Sequence, residues 1–220
     1  MKKWIIATSF FQQMFRKNEF NVLYIFITHK GDYENTIKNC RKNYKNKNYI
    51  VVVGGSDKNF IKDDTLFLEV NDLYEGLPEK VLKAFNFLSK HYESKKITHF
   101  CKLDSDMKIV KNFPEKVLSK YQYFGKVQYT EGQRDWGQNN FSADSRFKNE
   151  IYKGKYVPWC LGGYGYVVSL EAIGLIASKP VNYSHEPFED LLLAKLLNEE
   201  NIFPENFDNL NKYIRSPEHK

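Results

Sequence analysis

Over the first half of the chain, apolar residues fall into short runs separated by polar, glycine-bearing breaks. Asn21–His29 (NVLYIFITH) is almost unbroken and predicts a strand buried on both faces. Glu34–Tyr44 predicts a helix. Tyr49–Val53 predicts a second strand, stopped by Gly54-Gly55-Ser56, and Thr65–Val70 a third, followed by Asn71-Asp72. Pro78–His91 carries Val81, Leu82, Phe85 and Leu88 at helical spacing behind a proline suited to a first turn. Thr98–Val110 predicts a strand that stops, presents Asp104-Ser105-Asp106, and resumes at Met107. In the second half, Asn112–Lys120 predicts a short helix and Tyr123–Tyr129 a strand. Thr130–Lys155 predicts a long polar loop and Tyr156–Ser169 an aromatic, glycine-rich segment. Leu170–Ser178 and Asp190–Leu197 predict helices, with a loop over Asn182–Glu189 and a polar tail from Asn198.

Short strands alternating with helices imply an α/β fold with a largely parallel sheet. Ligands of such sheets bind off the carboxyl ends of the strands. Thr28–Asp32, Gly54–Ser56, Asn71-Asp72 and Asp104–Asp106 all sit at such ends and are expected to line one crevice. No internal repeat and no linker divides the chain, so residues 1–220 read as a single domain.

Composition narrows the classes. Hydrophobic residues are 42% of the 220 and aromatics 16%, enough for a core and against global disorder. Lys and Arg number 33 against 27 acids, a net charge of +6, which suits an anionic partner. The lysines are spread among asparagines, as in Arg41–Asn48, rather than gathered on a face, so nucleic acid is not expected as a partner. Cys40, Cys101 and Cys160 lie far apart with no zinc-ligand spacing, and a sparse, odd set fits a reducing compartment. The N-terminal run MKKWIIATSFFQQMF begins like a signal peptide but is broken by Gln12, Gln13 and Arg16 and is too short to span a bilayer. It reads as a strand or amphipathic helix of the domain.

Three constellations could carry chemistry. Asp104 and Asp106 stand two apart, and on an extended chain such residues point to one side. Two close carboxylates repel unless a cation lies between them or one is protonated. A hard divalent ion completed by substrate phosphates is the usual solution. The alternative is a polar turn after a strand. Gly162-Gly163-Tyr164-Gly165 offers close backbone approach to a ligand, with Trp159, Tyr164 and Tyr166 presenting flat faces to a sugar ring, or else a tight turn into a strand. Glu189-Asp190 before Leu191-Leu192-Leu193 is an ordinary helix start, or a carboxylate general base facing the crevice. Among the histidines His29, His91, His99, His185 and His219, no two have the spacing of a helical zinc pair.

These residues, taken in order, resemble a known family. Val51-Val52-Val53-Gly54, Asn71–Lys80 (NDLYEGLPEK), Lys102–Asp106 (KLDSD), Gly162–Ser169 (GGYGYVVS) and Glu189-Asp190 look like the galactosyltransferase, N-acetylglucosaminyltransferase and Fringe group of inverting glycosyltransferases, over roughly residues 21–197. The resemblance implies a single GT-A-type domain, with residues 21–110 as the nucleotide-sugar half and 111–220 as the acceptor and catalytic-base half. It implies a UDP-sugar donor bound through manganese or magnesium and a glycan or glycoprotein acceptor. Asp104 and Asp106 would hold the metal, with His219 the nearest candidate for the family's late histidine ligand. Thr28, His29, Asp72, Lys80, Asp104, Ser105, Gly162 and Gly163 would bind the donor, Lys30 or Lys80 adding positive charge. Asp190 would be the base, and Trp136, Asn139, Asn140 and Phe141 would face the acceptor. The chain departs from the family in placing Ser105 in the acidic triplet. The Lys- and Asn-heavy composition suits an AT-rich genome and an enzyme working in cytoplasm, the host's if viral. Competing readings are a catalytically inactive carbohydrate-binding relative and an Asp-x-Asp metal-dependent phosphatase. In the latter the pair normally follows the first strand and the fifth position is not lysine as here, at Lys108.

Overall fold

A computed structural model describes residues 20–92, 96–129, 139–150 and 152–217. The N-terminal segment read as a strand or helix therefore lies outside the described residues, apart from Phe20. The elements are β1 (Val22–Ile27), α1 (Tyr33–Asn43), β2 (Tyr49–Val53), β3 (Phe60–Lys62), β4 (Thr65–Phe67), α2 (Leu77–Tyr92), β5 (His99–Asp104), β6 (Lys108–Ile109), α3 (Glu115–Leu118), β7 (Tyr123–Gly125), β8 (Val127–Gln128), β9 (Trp159–Cys160), β10 (Tyr166–Ser169), α4 (Leu170–Ile176), α5 (Glu189–Glu199), β11 (Glu205–Asn206) and β12 (Ile214–Arg215), with short 3-10 turns between several of them.

The main sheet has eight strands in the order β11-β7-β10-β5-β1-β2-β4-β3. Its centre is parallel: β1 pairs with β2 and β5, and β2 with β4. The strand β10 joins antiparallel to β5 and β7. Alternation along β1 explains the two layers. Leu23, Ile25 and Ile27 enter one core, with Val81, Phe85 and Leu88 of α2 and Leu191 and Leu193 of α5. Val22, Tyr24 and Phe26 enter the other, with Ile37 and Cys40 of α1 and Val117 of α3. A strand buried on both faces needs apolar residues at every position, and β1 has them. Each fully buried aliphatic side chain contributes roughly 1.5–3 kcal/mol.

Three sequence expectations change. The third strand ends at Phe67 rather than Val70, because the chain beyond it pairs with the loop after β2 instead: Gly55 N–H donates to Val70 O and Ser56 N–H to Leu68 O. A hairpin strand, β3, precedes it, turning through Asp63 at φ 52°. Finally, the expected strand over Tyr123–Tyr129 divides at Lys126 into β7 in the main sheet and β8, which pairs with β9. The polar tail also contributes: β11 extends the sheet beside β7, and β12 pairs with β6, next to the acidic turn.

Candidate functional site

A cleft of about 750 Å³ opens at the carboxyl ends of β1 and β5. Its walls include Thr28, His29, Asp72, Lys80, Asp104, Ser105, Asp106, Gly162, Gly163, Glu189 and Asp190. Of the residues expected to hold the metal or the donor or to act as base, Thr28, His29, Asp72, Lys80, Asp104, Ser105, Asp106, Gly162, Gly163 and Asp190 are in this wall, and His219 lies outside the described residues. Distant parts of the chain meet there because parallel strands all end on one edge of the sheet.

The acidic segment is built differently from the expectation. The extended chain stops at Asp104, and Ser105-Asp106 form a turn in which Met107 N–H donates to Asp104 O at 3.1 Å. Asp104 and Asp106 are thus not successive residues of one strand face. The residue that shares a strand face with Asp104 is Lys102, and its Nζ lies 2.6 Å from Asp104 Oδ1. Lys102 is 1% exposed. It also donates to Gly162 O at 3.3 Å and forms an ion pair with Glu189 Oε1 at 2.9 Å. Tyr166 O–H donates to the other Glu189 oxygen at 3.4 Å. Burial would depress Lys102, but Asp104 and Glu189 outweigh it and raise its pKa. For Glu189 burial wins over the lysine and pushes the carboxyl up to about 7.

Asp190 opens α5 beside it. Its Oδ2 accepts from Gly162 N–H at 3.0 Å and its Oδ1 from Leu191 N–H at 2.8 Å. A Cβ at Gly162 would stand 3.0 Å from Glu189 Oε1 and crowd that carboxylate. Gly165 turns the chain into β10 at φ +71°, a conformation that suits glycine.

Opposite lies a second knot. Lys80 of α2 donates to Thr28 O at 3.0 Å and to Asp72 Oδ1 at 2.6 Å. Asp72 also accepts from Gly54 N–H at 2.8 Å and Lys30 N–H at 2.6 Å. Burial would raise the Asp72 pKa, but these donors outweigh it and hold it below the ordinary value. The Gly54–Ser56 loop, expected in the crevice, instead sits behind Asp72 and serves it as a donor. Lys30 likewise is not in the cleft wall; its side chain lies against Gly55.

The aromatic faces expected to meet a sugar are mostly elsewhere. Trp159 and Tyr166 are buried in the core, and Lys126 sits over the Tyr164 ring at 4.0 Å. Phe141 is also core, edge-on to Tyr74 and near Phe188. Of the loop residues expected toward an acceptor, Asn140 reaches the cleft, Asn139 is exposed with its carbonyl accepting from Lys148, and Trp136 lies outside the described residues. The sequence reading does not single out Lys102, and it names Glu189 only together with Asp190. The signal was present: a lysine inside the apolar run Phe100–Leu103 has to find buried partners.

The donor set around Ser105 is all oxygen, which suits a hard divalent cation. Among the described residues no group of three or more His, Cys, Asp and Glu side chains surrounds a common point. Asp104 and Asp106 are the carboxylates of the cleft wall that would hold such a cation, in the manner of magnesium bound by one or two carboxylates and completed by substrate phosphate.

The family model for galactosyltransferases matches residues 42–208. The chain belongs to that family. It is a glycosyltransferase, with a sugar donor and an acceptor as its substrates, on a GT-A-type α/β fold. The matched segment holds the acidic turn, the Gly162–Gly165 turn and Glu189-Asp190, while Thr28 and His29 precede it and reach the cleft through the pairing of β1 with β5. No curated protein matches the chain. Among solved structures it is similar to A197 from STIV, at 12% identity over 85% of this chain and 81% of that one, with a TM-score of 0.43. Among the described residues of this glycosyltransferase no helix is long and apolar enough to cross a membrane.

Proposed function

We propose that this glycosyltransferase transfers a hexose from a UDP-sugar to a hydroxyl of a glycan or glycoprotein, with inversion and with a divalent cation. The observation carrying this reading is that one cleft is lined by both the Asp104–Asp106 turn and Asp190. Asp104 and Asp106 would hold manganese or magnesium together with the donor diphosphate. Such a cation, when bound, neutralises charge building on the leaving group. Asp190, oriented by the N–H groups of Gly162 and Leu191, takes the proton from the acceptor hydroxyl as that oxygen attacks the anomeric carbon. A single displacement with one base inverts the anomeric centre. Thr28, His29 and Ser105 line the nucleotide side. Asp72 and Lys80 line the same wall as an ion pair.

The test is calorimetry of UDP binding with and without manganese, on the wild type and Asp106→Ala. Metal-dependent binding that falls at least tenfold in the variant is expected. Asp190→Asn should keep UDP affinity within about threefold and lose UDP-sugar turnover by about 10²–10⁴-fold, the usual size of a general-base contribution. Absence of UDP binding with any divalent ion would sink this reading. Binding without turnover of any UDP-hexose in a panel would favour the inactive carbohydrate-binding relative.

A further inference from the structure

We propose that Lys102 and Glu189 are positioning residues for the transfer, tying the acidic turn to the start of α5 so that the diphosphate site and the base keep a fixed separation. The inference rests on the roles proposed above for Asp104 and Asp190.

The connection is continuous. Lys102 Nζ holds Asp104 at 2.6 Å on one side and the Gly162 carbonyl at 3.3 Å on the other. The N–H of that same glycine donates to Asp190 at 3.0 Å. Lys102 also pairs with Glu189, the residue before Asp190, at 2.9 Å. The leaving-group end and the base end of the cleft are thereby joined through one buried ammonium group and one glycine.

A purely structural role does not need this chemistry. Lys102 stands in a central strand between Ile25 of β1 and Tyr166 of β10, on the face that carries Phe100. Well-packed apolar residues commonly replace buried ion pairs there without loss of stability. Each of the three partners of Lys102 lies in the cleft wall. Glu189 is 4% exposed, and its charge is held by Lys102 at 2.9 Å.

The experiment compares wild type, Glu189→Gln and the double variant Lys102→Met/Glu189→Met, which removes both charges at similar volume. Thermal unfolding checks folding, calorimetry measures UDP affinity with manganese, and kcat and KM are measured for hydrolysis of the UDP-hexose that the wild type turns over fastest. The expected result is a kcat loss of at least tenfold in Glu189→Gln and larger in the double variant, with KM and UDP affinity of Glu189→Gln within about threefold. Folded variants with kcat within twofold of wild type would overturn the proposal. So would a loss carried by KM alone. If the double variant does not fold, Glu189→Gln decides. A wild type that neither binds UDP nor turns over any UDP-hexose overturns the function proposed above instead, and shows it before any variant is made.

Discussion

Two lysines, Lys80 and Lys102, are buried on the same edge of the sheet, and their surroundings differ in one respect. Lys80 meets one carboxylate, Asp72, whose oxygens also accept two backbone N–H groups. That knot is charge-balanced, and Asp72 sits below its ordinary pKa. Lys102 meets two carboxylates, Asp104 and Glu189. One negative charge is in excess, and the more deeply buried acid, Glu189, is pushed up to about 7. The balanced knot fixes the loop ends of β1 and β2 and the segment before α2. The unbalanced one leaves a carboxylate at the cleft that a cation can neutralise. The same ion-pair chemistry serves scaffold in one place and site in the other, and the count of carboxylates separates them.

The sharpest test of the difference is Asp72→Ala. It strands the Lys80 charge, 3% exposed, and removes the acceptor of Lys30 and Gly54 N–H. Breaking a buried pair from one side costs about 3–5 kcal/mol, to be read from urea unfolding. A loss below about 1 kcal/mol would mean that water replaces the carboxylate and the knot is not scaffold.

A smaller effect distinguishes the knots by pH. Asp72 binds protons less readily folded than unfolded, so its stability is present above the ordinary value of 3.8 and is lost as pH falls through its lower folded value. Glu189 binds them more readily folded, so stability falls as pH rises from its ordinary 4.5 to about 7. In Glu189→Gln this contribution should vanish, so the thermal midpoint of the variant gains on the wild type as pH rises across the window while the acid-side loss persists; His99, lowered to about 4 by burial, titrates there with the opposite sign in both proteins. An unchanged slope would place the charge elsewhere. The least effect is expected on the surface. Arg41→Ala removes the exposed contacts to Asp63 and Asp64 and should leave the unfolding midpoint unchanged, since such pairs are screened by water.

The resemblance placed the acidic turn, Gly162–Gly163 and Glu189-Asp190 together, and the cleft holds them all. The reason offered for Asp104 and Asp106 did not hold: the two-residue period ends with the strand, at Asp104, and pairs that residue with Lys102 instead. Trp159 and Tyr166 read as platforms for a sugar because aromatic residues beside glycines suit a binding surface and a core turn equally, and Phe141 reads as facing the acceptor because it lies in a long polar stretch. They are core because β9 packs against α5, β10 lies between β5 and β7, and the Phe141 ring packs against Tyr74 and Phe188.

What the sequence by itself determined is the set of long apolar runs, hence β1, β2, β5 and the amphipathic α2, because burial on both faces of a strand or along one face of a helix leaves a local period. It also determined which acids and glycines belong to the family's motifs. Only the tertiary structure decided the short strands β9, β11 and β12 and the division of β7 from β8, because these take their backbone partners from far along the chain. It alone decided which carboxylate each buried lysine holds. Pairing of charges in a core depends on which chain segments the sheet brings within about 3 Å, the reach of a hydrogen bond, and no local period records that.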